Sequence, residues 1–210
     1  MERGGFETTS RKGLVLTREL WTCPRIAAYL QDPSGNTIVA KDQRPRLRSS
    51  PLERPLHVVL VEPEIPQNTG NIARLTAATK SRLHLVGKLG FRIDEHAVRR
   101  AGVDYWHLVD LETHPSFDHF MTTWPDARLH FFSAIATKSY LDADIRPGDA
   151  LVFGKESVGL DEALLERFPD NVYGIPTLGP VRSLNLANAV SIVLYEALRR
   201  NGALANVALG

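Results

Sequence analysis

Tyr173–Arg200, YGIPTLGPVRSLNLANAVSIVLYEALRR, carries the most structural information of any stretch in the chain. Val172–Ile175 reads as a short apolar strand, and Pro176, lacking an N–H, ends any ladder there. A loop punctuated by Gly179 and Pro180 follows, and Ser183 then occupies a helix N-cap position. Leu186, Ala187, Val190, Val193, Leu194, Ala197 and Leu198 recur at steps of three and four, which predicts one apolar helix face. Arg182, Ser183, Asn185 and Asn188 surround the first turns, where backbone N–H groups are unsatisfied and partly positive. Two readings stand here: a site for a carboxylate, phosphate or small polar ligand, or a well-capped helix with solvated asparagines.

From this helix back to Leu56, strands and helices alternate. Leu56–Val61 is a continuous apolar run of buried-strand type, and Asn68–Lys80 reads as a helix with Leu75 and Ala78 inward. Arg82–Val86 is a strand, Asp94–Ala101 a short helix capped by Asp94, and His107–Leu111 a weak strand. Ser116–Trp124 is helical with Phe117, Phe120, Met121 and Trp124 on one face. Leu129–Ser133 and Ala150–Phe153 are strands, and Asp161–Phe168 is a helix opened by its aspartate. This rhythm predicts an α/β fold, a mainly parallel sheet flanked by helices. Ligands of such sheets settle beyond the carboxyl ends of the strands, which is where Gly70, Gly154, Gly159 and Gly179 fall.

Residues 1–55 read differently. DPSGN (Asp32–Asn36) and KDQRPRLRSSPLERP (Lys41–Pro55) mix Pro, Ser, Gly and Arg without apolar periodicity, so a flexible basic extension is expected before a domain spanning 56–210. The extension carries 10 basic and 6 acidic side chains, the remainder 15 and 18, so the overall charge of +1 announces no nucleic acid by itself. Met1 and Met121 are the only methionines, so a true start near Leu56 is a further expectation, excluded by native peptides from before Leu47. The single cysteine, Cys23, excludes an intrachain disulfide and fits a reducing cytoplasm. No apolar run approaches the roughly 18 residues of a membrane span, so no membrane partner is expected.

Three loops carry the candidate chemistry. PQNTGNIAR (Pro66–Arg74) places Asn68, Asn71 and Arg74 at three-residue steps around a helix entrance, and an arginine there can fork onto a phosphate or an oxyanion. In FGKESVGL (Phe153–Leu160), Gly154 would admit a ligand to the backbone and Glu156 supplies a carboxylate beside Lys155. Each loop also reads as an ordinary capped helix or charged turn. There is no G-x-G-x-x-G fingerprint and no Walker loop. The histidines lack metal-ligand spacing, so no metal is expected. Asp142 and Asp144 precede a turn at Arg146–Gly148 and read as solvated.

Together NTGNIAR (Asn68–Arg74), FGKESVGL and IPTLGPVRSLNLANAVSIVLYE (Ile175–Glu196) resemble, in order and spacing, the three motifs of the SPOUT RNA methyltransferases. Within that superfamily LHVVLVEPEIPQNTGN resembles the TrmL (YibK-like) tRNA 2′-O-methyltransferases, and the likeness covers Leu56 to Asn201. The resemblance implies a C-terminal trefoil knot and S-adenosyl-L-methionine bound against Phe132, Ser133, Gly154, Glu156, Ile175, Ser183 and Leu184. It implies a homodimer with the apolar face of the last helix in its interface. It also implies 2′-O-methylation of the wobble pyrimidine of tRNA, with Arg74 at the 2′-oxygen, Tyr195 tied to activity or placed at the interface, and Asn68, Arg182 and Asn185 shaping the nucleotide pocket. Arg82, Arg92, Arg99 and Arg100 would form a basic rim. A ribose methyltransferase acting elsewhere on tRNA or rRNA, and an RNA-binding module without catalysis, are the alternatives. Ala187 departs from the family pattern, where many relatives have serine, as does the long extension.

Overall fold

The computed structural model describes residues 29–31, 37–39, 45–91 and 106–209, and the chain divides after Arg46. In the first unit β1 (Tyr29–Gln31) and β2 (Thr37–Val39) pair antiparallel, Tyr29 opposite Val39. The other residues up to 44, on which the expected flexibility of the extension mainly rests, lie outside the described ones. The second unit opens with β3 (Leu47–Arg48), which pairs antiparallel with Ala208–Leu209 near the chain end. The Ser49 hydroxyl donates to the carbonyl of Ala203, and Leu52 packs on the core. Residues 47–55 therefore fold with the second unit and not with the extension, a junction too short to show any periodicity.

Seven strands form its sheet: β4 (His57–Val61), β5 (Arg82–Val86), β6 (Asp110–His114), β7 (Leu129–Phe132), β8 (Lys138–Ser139), β9 (Ala150–Phe153) and β10 (Val172–Gly174). Their spatial order is β6-β5-β4-β9-β7-β10-β8, and every neighbouring pair is parallel. A parallel sheet needs cover on both faces, because its crossovers run over them. Here α1 (Pro66–Thr79) and α4 (Leu186–Arg200) join Val58, Leu60, Leu83 and Leu85 in one core, while α2 (Phe117–Thr123) and α3 (Glu162–Glu166) join Val59, Val86, Phe131 and Val152 in the other. The alternation of Val58 and Val59 between the two is the period of a strand.

All seven apolar residues predicted on α4 are buried. Leu194 is fully enclosed, and truncating such a leucine to alanine costs about 2–5 kcal/mol. Because that face is consumed within the chain, it is closed to a second copy. The outward residues of α4 are Asn188, Ile192, Tyr195 and Arg199. Its N-cap is Asn185, not Ser183: Asn185 Oδ1 accepts from the amides of Ala187 at 2.9 Å and Asn188 at 3.4 Å, whereas Ser183 is exposed before the helix. On α1 the inward residues are Ile72, Ala73 and Thr76, so Ala78, expected inside, points to solvent and Leu75 is only partly covered. Trp106–Leu108 forms a 3-10 turn and β6 starts later than expected. The predicted helix Asp94–Ala101 lies outside the described residues, as do Arg92, Arg99 and Arg100.

The second face of the sheet carries a row of imidazoles. His57 Nδ1 lies 2.9 Å from His84 Nε2, His84 Nδ1 lies 3.0 Å from His114 Nε2, and His114 Nδ1 lies 3.1 Å from His119 Nδ1. Burial, helped by the charge of Arg82, pushes His57 down to about 4. Burial and the neighbouring histidines push His84 down to about 3.

Candidate active site

β4 has β5 on one side and β9 on the other, so the chain leaves it in one direction and returns from the opposite one. The crevice beyond the carboxyl ends of two such strands is where open α/β sheets bind ligands. The loops after β4 and β9 meet there and are locked together. Lys155 Nζ pairs with Glu62 Oε2 at 2.9 Å, and the Glu64 carboxylate accepts from both the amide and the hydroxyl of Ser157 at 3.0 Å. In return Glu156 accepts from the amides of Glu64 at 2.8 Å and Ile65 at 3.3 Å. Lys155 and Glu156, adjacent in sequence, thus bond to different partners and not to each other.

Glu156 Oε1 also accepts from Asn68 Nδ2 at 2.9 Å, and Asn68 Oδ1 accepts from Asn185 Nδ2 at 3.0 Å. Asn185 Oδ1 then caps α4. The carboxylate only accepts and the α4 amides only donate, so the orientation of both asparagine amides between them is fixed. One continuous row joins all three sequence motifs. Asn68 is buried, which raises the cost of breaking the row.

Gly154 has a packing role in addition to the one expected of it. A Cβ there would overlap the backbone of Gly159 and Leu160, because the loop folds back on itself with the amide of Gly159 donating to the carbonyl of Lys155 at 2.9 Å. Gly159, at φ +81, makes that return. The missing side chain at Gly154 makes room for a second chain segment.

The remaining candidates divide into three groups. Phe132 is buried and stacked on Phe153 with centroids 5.0 Å apart, and the Ser133 amide donates to the Tyr173 carbonyl at 2.9 Å, so both belong to the ends of β7 and β10. Ile175 and Leu184 are partly covered, while Arg182 and Ser183 are exposed. Arg74 is exposed on α1 and Tyr195 is 46% exposed on α4, and neither joins the Glu156–Asn68–Asn185 row. Arg82 stands at the amino end of β5, ion-paired with Asp110 at 3.0 Å, so it lies at the opposite end of the strands from the crevice and outside any rim around it. A cleft of about 290 Å³ between Ile135–Lys138 and α3 contains none of the candidates.

Residues 176–184 make no backbone hydrogen bonds among the described residues, and Leu178 and Val181 are exposed. Such a strip has N–H and C=O groups free to exchange water for a polar ligand. That arrangement fits a cofactor recognised chiefly by main chain, as expected for S-adenosyl-L-methionine. Sequence reasoning missed Glu62, Glu64 and Ser157, whose only signal is a pair of acidic residues before one helix and a lysine and a serine after one glycine.

Comparison with known proteins gives the family. The family model described as SpoU rRNA Methylase matches residues 55–195. A tRNA (cytidine(34)-2'-O)-methyltransferase of Saccharophagus degradans is 46% identical over 147 residues, covering 70% of this chain and 96% of that protein. A structure solved for the 2-OH methylation of C/U34 on tRNA is 50% identical with a TM-score of 0.66, covering 70% of this chain and 96% of that one. An AdoMet-bound rRNA methyltransferase from Sinorhizobium meliloti is 25% identical with a TM-score of 0.63, covering 73% of this chain and 61% of that one. The chain belongs to the SpoU rRNA methylase family.

Proposed function

We propose that this protein transfers the methyl group of S-adenosyl-L-methionine to the ribose 2′-oxygen of nucleotide 34, a cytidine or modified uridine, in the anticodon loop of tRNA. The observation that carries the reading is the Glu156–Asn68–Asn185 row, which draws three separated motifs into one crevice. The identity to a named cytidine(34) enzyme supports the substrate. When bound, the cofactor supplies a methyl already activated by its sulfonium. The protein's task is then alignment of the ribose and stabilisation of charge on its oxygen.

Arg74 is assigned to the 2′-oxygen. A guanidinium does not accept a proton at neutral pH, so it stabilises the developing oxyanion and clamps a neighbouring phosphate, and the hydroxyl proton leaves to water. Arg182, exposed beside the open strip, meets the RNA backbone. Ser133, Ile175, Ser183 and Leu184 contact the cofactor by main chain, with Phe132, Gly154 and Glu156 as the frame behind them. Asn68 and Asn185 set the loops rather than touching the nucleotide, and Tyr195 lies toward a second copy. The interface of that homodimer is the outward stripe of α4. β10 follows β7 and β8 in sequence but lies between them, which supports a knotted path for residues 175–185. No helix among the described residues is long and apolar enough to cross a membrane, and the proposed tRNA substrate supports a cytoplasmic enzyme.

Nucleoside mass spectrometry of tRNA from a deletion strain tests the reading. Loss of one 2′-O-methylated pyrimidine at position 34, restored by the full chain and not by Arg74→Ala, is the expected result. An unchanged position 34 with a methyl missing elsewhere in tRNA or in rRNA would shift the substrate to that site. The Sinorhizobium enzyme makes this the second reading. Calorimetry on Arg74→Ala should show retained cofactor affinity, and lost affinity would overturn the role given to Arg74.

A further inference from the structure

Glu112 and His114 are two apart on β6 and share a face of the sheet, and His84 stands opposite Glu112 on the neighbouring strand. His84 Nδ1 and His114 Nε2 are 3.0 Å apart, and Glu112 Oε2 lies 3.7 Å from the first and 3.9 Å from the second. From these separations, the point in the plane of the three atoms that is equidistant from them lies about 2.1 Å from each, the bond length of zinc to imidazole nitrogen or carboxylate oxygen. We infer that His84, Glu112 and His114 form a three-ligand site for a borderline transition-metal ion of the zinc class, lying on the α2 face of the sheet.

The surroundings supply what a metal site requires beyond ligand distance. A ligating imidazole has to donate its other N–H to a fixed partner. With Nδ1 of His84 on the ion, its Nε2–H faces His57 Nδ1 at 2.9 Å; with Nε2 of His114 on the ion, its Nδ1–H faces His119 Nδ1 at 3.1 Å. Glu112 Oε2 is held by Trp124 Nε1–H at 3.0 Å and keeps a lone pair for the ion. The two histidine side chains are almost fully enclosed, whereas that of Glu112 is 40% exposed, which gives an ion an entry path and leaves the fourth position to water. Burial holds His84 and His114 neutral, the form that ligates. Arg82, a neighbouring cation, lies over Trp124 at 4.4 Å and is offset by Asp110. Two imidazoles with one carboxylate suit zinc, copper or nickel over magnesium or calcium. The sequence expectation of no metal rests on linear spacing, and these ligands are spaced by strand register.

The role that follows is a staple joining β5, β6 and, through His119 and Trp124, α2. The test is titration of untagged full-length protein, stripped by chelator, with Zn²⁺ alone in the calorimeter and with Co²⁺ alone by visible absorption. Saturation at one equivalent per chain, with the visible bands of four-coordinate Co²⁺ and a raised melting temperature, is expected. Glu112→Gln and His114→Asn should each weaken Zn²⁺ about tenfold or more. Absence of saturable binding overturns the proposal, and so does one-equivalent binding of unchanged affinity in Glu112→Gln. That variant sits at the exposed rim, so it decides the matter even if His114→Asn does not fold. Cofactor affinity in each variant reports that the fold is intact.

Discussion

Asn68 donates its side-chain amide to Glu156 at 2.9 Å across 88 residues of sequence. The carboxylate would otherwise serve only the β4–α1 loop, and the asparagine would only follow the turn of its helix. Through this one bond the β9 loop, the start of α1 and, by way of Asn185, the start of α4 become mechanically one object. The frame of the crevice is therefore preformed, and a ligand does not have to draw these three segments together.

Asn68→Ala is expected to cost about 1–3 kcal/mol, because it empties a buried position and takes one donor from the half-buried Glu156 carboxylate and the acceptor from the Asn185 amide. Asn68→Asp should do worse, placing a second carboxylate against Glu156. Thermal melting with and without S-adenosyl-L-methionine checks both. Equal melting temperatures for wild type and Asn68→Asp would show that the row does not order the site.

Gly154→Ala and Gly179→Ala separate packing from mere placement in a loop beyond a strand end. A Cβ at Gly154 has to displace the Gly159–Leu160 backbone, so the penalty should reach or exceed the ~1–3 kcal/mol of ordinary overpacking, with loss of cofactor binding. A Cβ at Gly179 meets nothing within 4 Å, and its φ lies outside the left-handed region, so alanine there should stay within about 1 kcal/mol of wild type. Urea titration of the two variants gives the comparison. Similar midpoints would contradict the account of Gly154.

Ile192 and Tyr195 are 37% and 46% exposed and lie one turn apart on the outward stripe of α4. If that stripe closes the proposed dimer, Ile192→Lys puts a charge in its centre and should yield monomer in sedimentation velocity at a concentration where the wild type is dimeric. A monomeric wild type, or an unchanged dimer in the variant, would move the interface elsewhere.

How far the sequence speaks depends on whether a feature is periodic or convergent. Arg82–Val86 and Ala150–Phe153 are strands over their full predicted lengths, the second because a buried parallel strand is a continuous apolar run. The α4 face follows from spacing alone. The N-cap does not: Ser183 and Asn185 are both capping residues, and the choice falls to the one whose amide also reaches Asn68. Nor does the pairing of Lys155 with Glu62, or the approach of His84 to His114 across 30 residues. These depend on which strands stand side by side, and no window of sequence contains both partners. Ala78 illustrates the converse, since a helix can repeat correctly while the rotation of its buried face is set by its neighbours.

Asp149 gives a pH dependence of known sign. Burial alone would raise its carboxyl, but hydrogen bonds from His130 at 3.0 Å, from Arg128 at 2.7 Å and from the Arg146 amide at 2.7 Å outweigh that and hold it at about 2, against an ordinary 3.8. A carboxyl whose folded value is depressed contributes stability that is complete above its unfolded value and is lost as pH falls toward the folded one. Unfolding free energy should therefore drop by roughly 2 kcal/mol between about pH 5 and pH 2 on account of this residue. Asp149→Asn should be less stable than wild type at neutral pH, with Arg128 left without its anion, and should lose less on acidification. Urea midpoints across this range measure both. The same acid slope in wild type and variant would mean that other carboxylates carry it.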